Sequence, residues 1–187
     1  MTLPPLSILG PLWGLAEFCT AVITRSRWAG PSKDRGSVFL LWAVCLSSIG
    51  LAVFAANKFS EWALPNRGLL FTVALCFFAL GVVFRSYGII YLGRFFTPNV
   101  AIATDHRLID SGPYRFIRHP TYTGLLMIVL GVGLSFANLA SLLIVFVPVL
   151  ACLLWRIRIE EQALAEAFGE QYRIYMHRTK RLVPFIF

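Results

Sequence analysis

Five apolar runs dominate the pattern of hydrophobic and polar positions along this chain. They cover Leu6–Thr24, Ser37–Ala56, Leu69–Leu92, Tyr122–Phe136 and Leu139–Trp155. A helix needs about 20 predominantly apolar residues to cross a bilayer, and the last two runs are shorter and joined by Ala137-Asn138 as a helical hairpin. The pattern predicts an all-α, polytopic membrane bundle of about five transmembrane helices. The first run lacks a basic start and a cleavage site of small residues, so we expect a span there rather than a signal peptide.

The composition supports a membrane protein and argues against other classes. Only 14% of the residues are charged, 58% are hydrophobic, and the mean hydropathy is +0.72, whereas a soluble domain carries about 25% charged residues. The 187 residues fit one integral membrane domain, with three spans in residues 1–92. The net charge of +8 is explained by basic loops at anionic lipid headgroups, so we expect a lipid bilayer and no nucleic acid as partner.

Cysteine usage gives no sign of a metal site. Cys19, Cys45, Cys76 and Cys152 all fall inside apolar runs, and none has a CxxC partner or a nearby histidine. They are therefore interpreted as small packing residues, with neither a disulfide framework nor a bound metal.

Lysine and arginine predict the orientation of the spans. Segments 25–36, 94–120 and the tail from residue 156 hold four, four and six of them, whereas segment 58–68 holds two and the turn at 137–138 none. Because positive loops stay in the cytoplasm, we expect the N-terminus outside and the C-terminus inside. Both polar segments of the chain, 94–122 and 156–184, then face the cytoplasm.

The first polar segment concentrates side chains that suit a binding site. Two histidines, two aspartates and two tyrosines lie within residues 105–122, where Asp110-Ser111-Gly112-Pro113 predicts a turn and His119-Pro120 the start of the fourth span. The free N–H groups of a helix start bind anionic groups. A basic juxtamembrane loop with no ligand explains the segment about equally well from composition alone.

The second segment begins where the fifth span leaves the membrane. Arg156 and Glu160 are four residues apart and share a helical face, as a surface ion pair or as functional groups at the mouth of the bundle. The helix is predicted to end near Phe168-Gly169, and a short amphipathic helix to cover Glu170–Arg178. Within the spans, Glu17 and Arg85 are single ionisable residues, either functional or paired and snorkelling.

Four motifs in order resemble the isoprenylcysteine carboxyl methyltransferase family and its phospholipid methyltransferase relatives. They are Gly112-Pro113-Tyr114-Arg115-x-x-Arg118-His119-Pro120-x-Tyr122, Arg156-x-x-x-Glu160-Glu161, Phe168-Gly169-x-x-Tyr172-x-x-Tyr175 and Arg181-Leu182-x-Pro184. The resemblance covers about residues 90–187. It implies S-adenosylmethionine as cofactor, S-adenosylhomocysteine as product, and a cytoplasmic cofactor pocket built by residues 93–187 from the loop before the fourth helix and the C-terminal tail.

The resemblance also implies roles for individual residues. Arg156 would meet the substrate, and Arg156 and Glu160 are the candidate catalytic residues. The candidate cofactor-binding residues are His106, Arg107, Leu108, Ile109, Tyr114, His119, Pro120, Thr121, Tyr122, Glu160, Leu182 and Pro184. A lipophilic acceptor would enter from the membrane.

The resemblance leaves the acceptor open. The favoured acceptor is the α-carboxylate of a prenylated cysteine or a similar lipid-like acid, which is ionised at neutral pH and needs no base. A phospholipid amine or a thiol would require a base, for which Glu160 or His119 is the candidate. An NADPH-dependent sterol or lipid reductase and a non-enzymatic membrane subunit are the remaining alternatives.

Overall fold

The computed structural model describes residues 4–23, 36–97, 107–184 and 186, and its regular elements are helices. Six α-helices follow in chain order: α1 Pro4–Ile23, α2 Ser37–Lys58, α3 Arg67–Leu92, α4 Pro120–Ser135, α5 Leu139–Phe168 and α6 Glu170–Arg178. Short 3-10 turns cover Ser60–Trp62, Gly93–Phe95 and Gly112–Arg115. The described residues contain no β-strand, which confirms the predicted all-helical fold.

Three helices among the described residues are long and apolar enough to cross a membrane. They are Ser37–Lys58, Arg67–Phe95 and Leu139–Phe168. Large apolar side chains on these helices, such as Phe39, Leu46 and Val83, are exposed in the part of the chain that the structure describes, as expected of faces that meet lipid. The polytopic membrane fold is thereby confirmed, while the number of five spans stays a prediction. Helix α4 has 16 residues and a length of about 24 Å, less than the bilayer core of about 30 Å.

Helices α3 and α4 pack closely against each other and form a compact pair within the bundle. A Cβ atom at Gly81 would lie 2.7 Å from the Gly124 carbonyl oxygen, and one at Gly131 would lie 2.7 Å from the Ala74 carbonyl oxygen. Small residues at such positions let helix backbones approach closely, which is how helices associate in lipid. This pair fixes the position of the α4 N-terminus, and hence of the polar segment before it.

Helix α5 packs against helices from both halves of the chain, α2 and α4. Its buried residues Val145, Val149, Leu153 and Ile157 recur every four positions and enter the core with residues from α4, the periodicity of one helix face. On another side α5 packs along α2, where the Ser141 hydroxyl donates to the Ala52 carbonyl at 2.8 Å. The helix continues 13 residues past Trp155 and ends at Phe168, as predicted, before Gly169 with a positive φ of 55°.

The loops gather at two ends of the bundle. At one end, Leu64 N–H donates to the Ala137 carbonyl at 2.8 Å, and the Asn138 amide donates to the Phe59 carbonyl at 2.7 Å. At the other, Arg118 N–H donates to the Lys180 carbonyl at 2.7 Å. The described parts of the two polar segments therefore lie together, and the described loops poor in lysine and arginine lie at the opposite end.

Candidate functional site

The polar segment before α4 is anchored to the bundle by Tyr114. Gly112 has a φ of +57°, and a Cβ there would lie 2.4 Å from the Tyr91 ring, so only glycine fits this turn. The Tyr114 hydroxyl then donates to the Gly88 carbonyl on α3 at 3.2 Å. The Tyr175 hydroxyl donates to the Tyr114 carbonyl at 2.7 Å, so the turn also holds α6.

Glu161 connects α5, the polar segment and the C-terminal tail. Its Oε1 accepts from Arg118 Nε at 2.8 Å, and its Oε2 accepts from Arg181 Nε at 2.9 Å and Nη2 at 2.7 Å. Hydrogen bonding to Glu161 raises the pKa of the Arg181 guanidinium. The Arg118 guanidinium also donates to the carbonyls of Met176 and Thr179. Charge-assisted contacts of this kind are among the stronger hydrogen bonds in proteins, and here they fix the tail beside α5.

Tyr122 lies between Arg156 and Glu160. Its hydroxyl accepts from Arg156 Nε at 2.8 Å and donates to Glu160 Oε2 at 2.5 Å. The Arg156 guanidinium also donates to the Ser37 hydroxyl at the start of α2. Arg156 is only 4% exposed, so it is a buried cation in a fixed orientation rather than half of a surface ion pair.

His119 immediately precedes α4 and stacks on Tyr122. The two rings lie 5.4 Å apart at an angle of 12°, and His119 is 4% exposed. Its Nδ1 is 4.0 Å from Glu160 Oε2, and its Nε2 is 3.5 Å from Glu161 Oε1 without the geometry of a hydrogen bond. The histidine thus lies beside both carboxylates of the α5 motif.

A polar and aromatic cavity, which we call the mouth cavity, opens around these groups. It is lined by Leu92, Phe95, Phe96, Thr97, Arg107, Leu108, Ile109, Tyr114, Arg118, His119, Thr121, Tyr122, Arg156, Glu160, Leu164, Phe168, Tyr172 and Tyr175. The Tyr172 hydroxyl is buried and has no hydrogen-bond partner among the described residues. Burial raises the pKa of Tyr114, Tyr172 and Tyr175 above the ordinary value of 10.0. Their hydroxyls are hydrogen-bond donors at neutral pH, as tyrosine hydroxyls are at the ordinary value.

A second, mostly apolar cavity, which we call the lipid-side cavity, adjoins the mouth cavity. Its volume is about 320 Å³, within the range of small-molecule sites. It is lined by Trp13, Glu17, Phe18, Val38, Leu41, Trp42, Cys45, Arg85, Phe96, Thr97, Tyr122, Leu125 and Arg156. Four residues, Phe96, Thr97, Tyr122 and Arg156, line both cavities. The site therefore consists of a polar and an apolar compartment that meet at one arginine.

Comparison with known proteins finds a family whose model matches this chain. The model of the isoprenylcysteine carboxyl methyltransferase family matches residues 72–166, which include most of α3, all of α4 and most of α5. The chain belongs to this family. The resemblance drawn from the four motifs is thus confirmed.

Individual relatives agree with this assignment. The chain is 33% identical to protein-S-isoprenylcysteine O-methyltransferase B of Arabidopsis thaliana over 75% of this chain and 70% of the relative. It is 32% identical to the protein-S-isoprenylcysteine O-methyltransferase of Schizosaccharomyces pombe over 62% of this chain and 50% of the relative. The chain therefore spans 70% of the length of the first relative and 50% of the length of the second.

A solved structure shares the fold. It is that of a eukaryotic intramembrane Ras methyltransferase, an isoprenylcysteine carboxyl methyltransferase, with a TM-score of 0.71 and 24% identity. The match covers 95% of this chain and 64% of that chain. The bundle described above is therefore the fold of this membrane family.

Most residues predicted for the site lie around the mouth cavity. They are Arg107, Leu108, Ile109, Tyr114, His119, Thr121, Tyr122, Arg156 and Glu160. His106 lies outside the described residues. Pro120, Leu182 and Pro184 are described, but they do not line this cavity. Leu182 is buried in the hydrophobic core, where its carbonyl accepts from the Thr123 hydroxyl at 2.7 Å. The functional roles of all these residues stay predictions.

Several residues around the site were not predicted from the sequence. Phe95, Phe96 and Thr97 follow α3 and line the mouth cavity, as do Tyr172 and Tyr175 of α6. The two tyrosines stand in the third motif, three residues apart on one helical face, which is the signal that could have identified them. Ser37, which contacts Arg156 from 119 positions away, had no such signal.

Proposed function

We propose that this protein transfers a methyl group from S-adenosylmethionine to the α-carboxylate of a prenylated cysteine or a similar lipid-like acid. The observation that carries the proposal is that the polar mouth cavity and the apolar lipid-side cavity share Arg156. A planar guanidinium recognises a carboxylate through two parallel hydrogen bonds. An acceptor whose carboxylate is bound by Arg156 would place its apolar chain in the lipid-side cavity and its reacting oxygen at the mouth cavity.

The residues of the mouth cavity fit the proposed cofactor. Aromatic side chains suit an adenine ring and a sulfonium cation. The lining includes seven phenylalanine and tyrosine rings, those of Phe95, Phe96, Tyr114, Tyr122, Phe168, Tyr172 and Tyr175. The buried Tyr172 hydroxyl, which lacks a partner among the described residues, can donate to a polar group of the ligand. Glu160 offers a carboxylate to its cationic part, and Arg107 offers a cation to its carboxylate.

The chain's own groups act mainly by positioning. The bound cofactor supplies an electrophilic methyl group on sulfur. Arg156 binds the acceptor carboxylate, and Tyr122 orients Arg156 through the hydrogen bond at 2.8 Å while holding Glu160 at 2.5 Å. Since a carboxylate is ionised at neutral pH, no side chain needs to remove a proton. Holding two reactants in line and excluding water accounts for large rate accelerations.

The same proposal includes the topology predicted from charge. We infer that residues 1–187 form a single membrane domain with the N-terminus outside and the C-terminus and both polar segments in the cytoplasm. The clustering of both segments at one end of the bundle supports this orientation, because soluble cofactor then reaches the mouth cavity from the cytoplasm. A lipophilic acceptor would reach the lipid-side cavity from the bilayer, which contacts the exposed faces of α1 to α3.

Cofactor binding and methyl transfer are tested separately on the detergent-solubilised chain. We expect S-adenosylhomocysteine, and not NADP, to raise the thermal unfolding temperature, because a ligand stabilises the state that binds it. Methyl transfer from radiolabelled cofactor is then compared between a prenylcysteine, a phospholipid and a small thiol. Stabilisation by NADP instead would favour a reductase, and transfer only to the phospholipid or the thiol would overturn the carboxylate acceptor.

Variants of α5 test the assigned roles. For Arg156→Ala we expect kcat/KM to fall about tenfold to a hundredfold, the effect of losing a charged hydrogen bond of about 1.5–3 kcal/mol, with S-adenosylhomocysteine affinity unchanged. For Glu160→Gln we expect weaker S-adenosylhomocysteine binding. Arg158→Ala is the matched control, because Arg158 lies on the same helix but is exposed. Wild-type turnover in both Arg156→Ala and Glu160→Gln would remove these assignments.

A further inference from the structure

An ion pair joins α1 to α3, one of the helices that are long and apolar enough to cross a membrane. Arg85 Nε donates to Glu17 Oε1 at 2.7 Å, and Arg85 Nη2 donates to Glu17 Oε2 at 3.0 Å. Two parallel bonds between a guanidinium and a carboxylate are the strongest geometry for such a pair. Ionisable side chains in membrane spans are costly and usually functional, yet this pair is separate from the Arg156–Tyr122–Glu160 contacts of the proposed reaction.

The two partners belong to parts of the bundle that are packed very differently. Arg85 lies where α3 and α4 approach closely, since a Cβ at Gly124 would lie 2.6 Å from the Arg85 nitrogen. Its Nη1 also donates to the Thr121 carbonyl of α4 at 3.2 Å. Glu17 instead belongs to α1, which contacts α3 and α4 only sparsely. The ion pair thus ties a loosely packed helix to the most tightly packed pair of helices.

Helix α1 forms one side of the lipid-side cavity. Trp13, Glu17 and Phe18 of α1 line that cavity, and Arg85 and Arg156 line it as well. Trp13 is buried and donates from Nε1 to Glu17 Oε1 at 3.2 Å, whereas Phe18 is 67% exposed. A residue that lines a cavity while largely exposed marks its rim, so the cavity opens beside α1 toward the lipid.

We propose that the Glu17–Arg85 pair is a positioning device that seats α1 against α3 and thereby holds in place one wall of the lipid-side cavity. Through this contact the pair contributes to the affinity for the lipophilic part of the acceptor. Only the identity of the acceptor in this inference rests on the proposed function. The seating of α1 itself rests on the contacts of Glu17, Arg85 and Trp13.

The kinetic test is a double-mutant cycle on this pair. We expect Glu17→Gln and Arg85→Gln each to raise the KM for N-acetyl-S-farnesylcysteine about tenfold, the effect of losing a charged hydrogen bond. In both variants the effect on the acceptor KM should exceed the effects on kcat at saturating acceptor and on the affinity for S-adenosylhomocysteine. The double variant should be no worse than either single one, because both changes break the same contact. Arg85→Lys, which keeps the charge, should recover part of the affinity.

A second test measures how firmly α1 is held against α3, and it does not depend on enzymatic turnover. Cys45 is 3% exposed and lines the lipid-side cavity. In a Cys19→Ser, Cys76→Ser, Cys152→Ser background, its modification by N-ethylmaleimide should be slow and should accelerate about tenfold in Glu17→Gln, since thiol reactivity follows access. Glu170→Gln is the matched control, because the Glu170–Arg173 pair at 3.6 Å is exposed to solvent.

The outcomes separate this inference from the proposed function. Faster Cys45 modification in Glu17→Gln, in a protein that transfers no methyl group to any acceptor, would keep the seating role and refute the proposed reaction. Normal methyl transfer, with unchanged Cys45 modification and unchanged acceptor KM in Glu17→Gln, would overturn the seating role. A fall in kcat or in S-adenosylhomocysteine affinity without a rise in acceptor KM would also contradict it.

Discussion

The contact between α3 and α4 should respond sharply to a single added methyl group at Gly124. In Gly124→Ala the new Cβ would lie 2.6 Å from the nitrogen, 2.7 Å from Cβ and 2.8 Å from Cα of Arg85. Carbon atoms in contact prefer about 3.5–4.0 Å, so the helices would have to separate by about 1 Å. Because the obstructing atoms are mainly backbone, no rotation of a side chain can relieve the clash.

The size of the effect follows from two opposing contributions. Overpacking of this kind destabilises a protein by about 1–3 kcal/mol, whereas replacing a helical glycine by alanine stabilises the helix by up to about 1 kcal/mol. We therefore expect Gly124→Ala to lower the free energy of unfolding by about 1–2 kcal/mol. For a chain of this length, that change corresponds to a fall in Tm of about 2–8 °C.

The assay is thermal unfolding of the variant in one detergent, next to Gly50→Ala. Gly50 is also helical, but a Cβ there meets nothing within 4 Å, so that variant should keep or slightly raise Tm through helix propensity alone. Equal Tm values for the two variants would refute the claim that the α3–α4 approach excludes a side chain.

Two further predictions concern pH and the C-terminal tail. Burial raises the pKa of Tyr114, Tyr172 and Tyr175 above the ordinary value of 10.0. Their contribution to the free energy of unfolding is therefore complete below about pH 10. Above that pH it should decline by about 1.4 kcal/mol per pH unit for each tyrosine, because the unfolded chain loses these protons first. Chemical unfolding between about pH 9 and about pH 11 measures this decline, and Tyr172→Phe should make it shallower; an identical slope would contradict the assignment. Glu161→Gln leaves the partly buried Arg118 and Arg181 without their carboxylate and should destabilise the protein by about 3 kcal/mol, with faster proteolysis of the tail. The control Glu166→Gln changes an exposed residue and should alter neither stability nor proteolysis. A tail that stays protected from proteolysis in Glu161→Gln would show that other contacts hold it.

Hydrophobic patterning was sufficient to place the helices of this protein. The predicted spans Ser37–Ala56 and Leu69–Leu92 differ by two residues from α2 and α3, because long apolar runs in a membrane protein can satisfy their backbone only as helices. The predicted ends of α5 at Phe168 and of α6 at Arg178 agree with the structure, since Gly169 stops the helix by local chemistry. The four motifs likewise indicated the family, as they depend on short spacings.

The partners of the polar side chains were decided only by the tertiary structure. In the sequence Glu17 and Arg85 are two single ionisable residues 68 positions apart, and in the folded protein they form one ion pair. Arg156 and Glu160 read as a possible direct pair, and the fold inserts the Tyr122 hydroxyl between them. The physical reason is that helices in this bundle are apolar on lipid-facing and core-facing sides alike, so periodicity along one helix does not identify the neighbour that each face meets. The sequence therefore determined which segments are helical and where polar chemistry concentrates, while the packing of α1 to α5 determined which side chains meet.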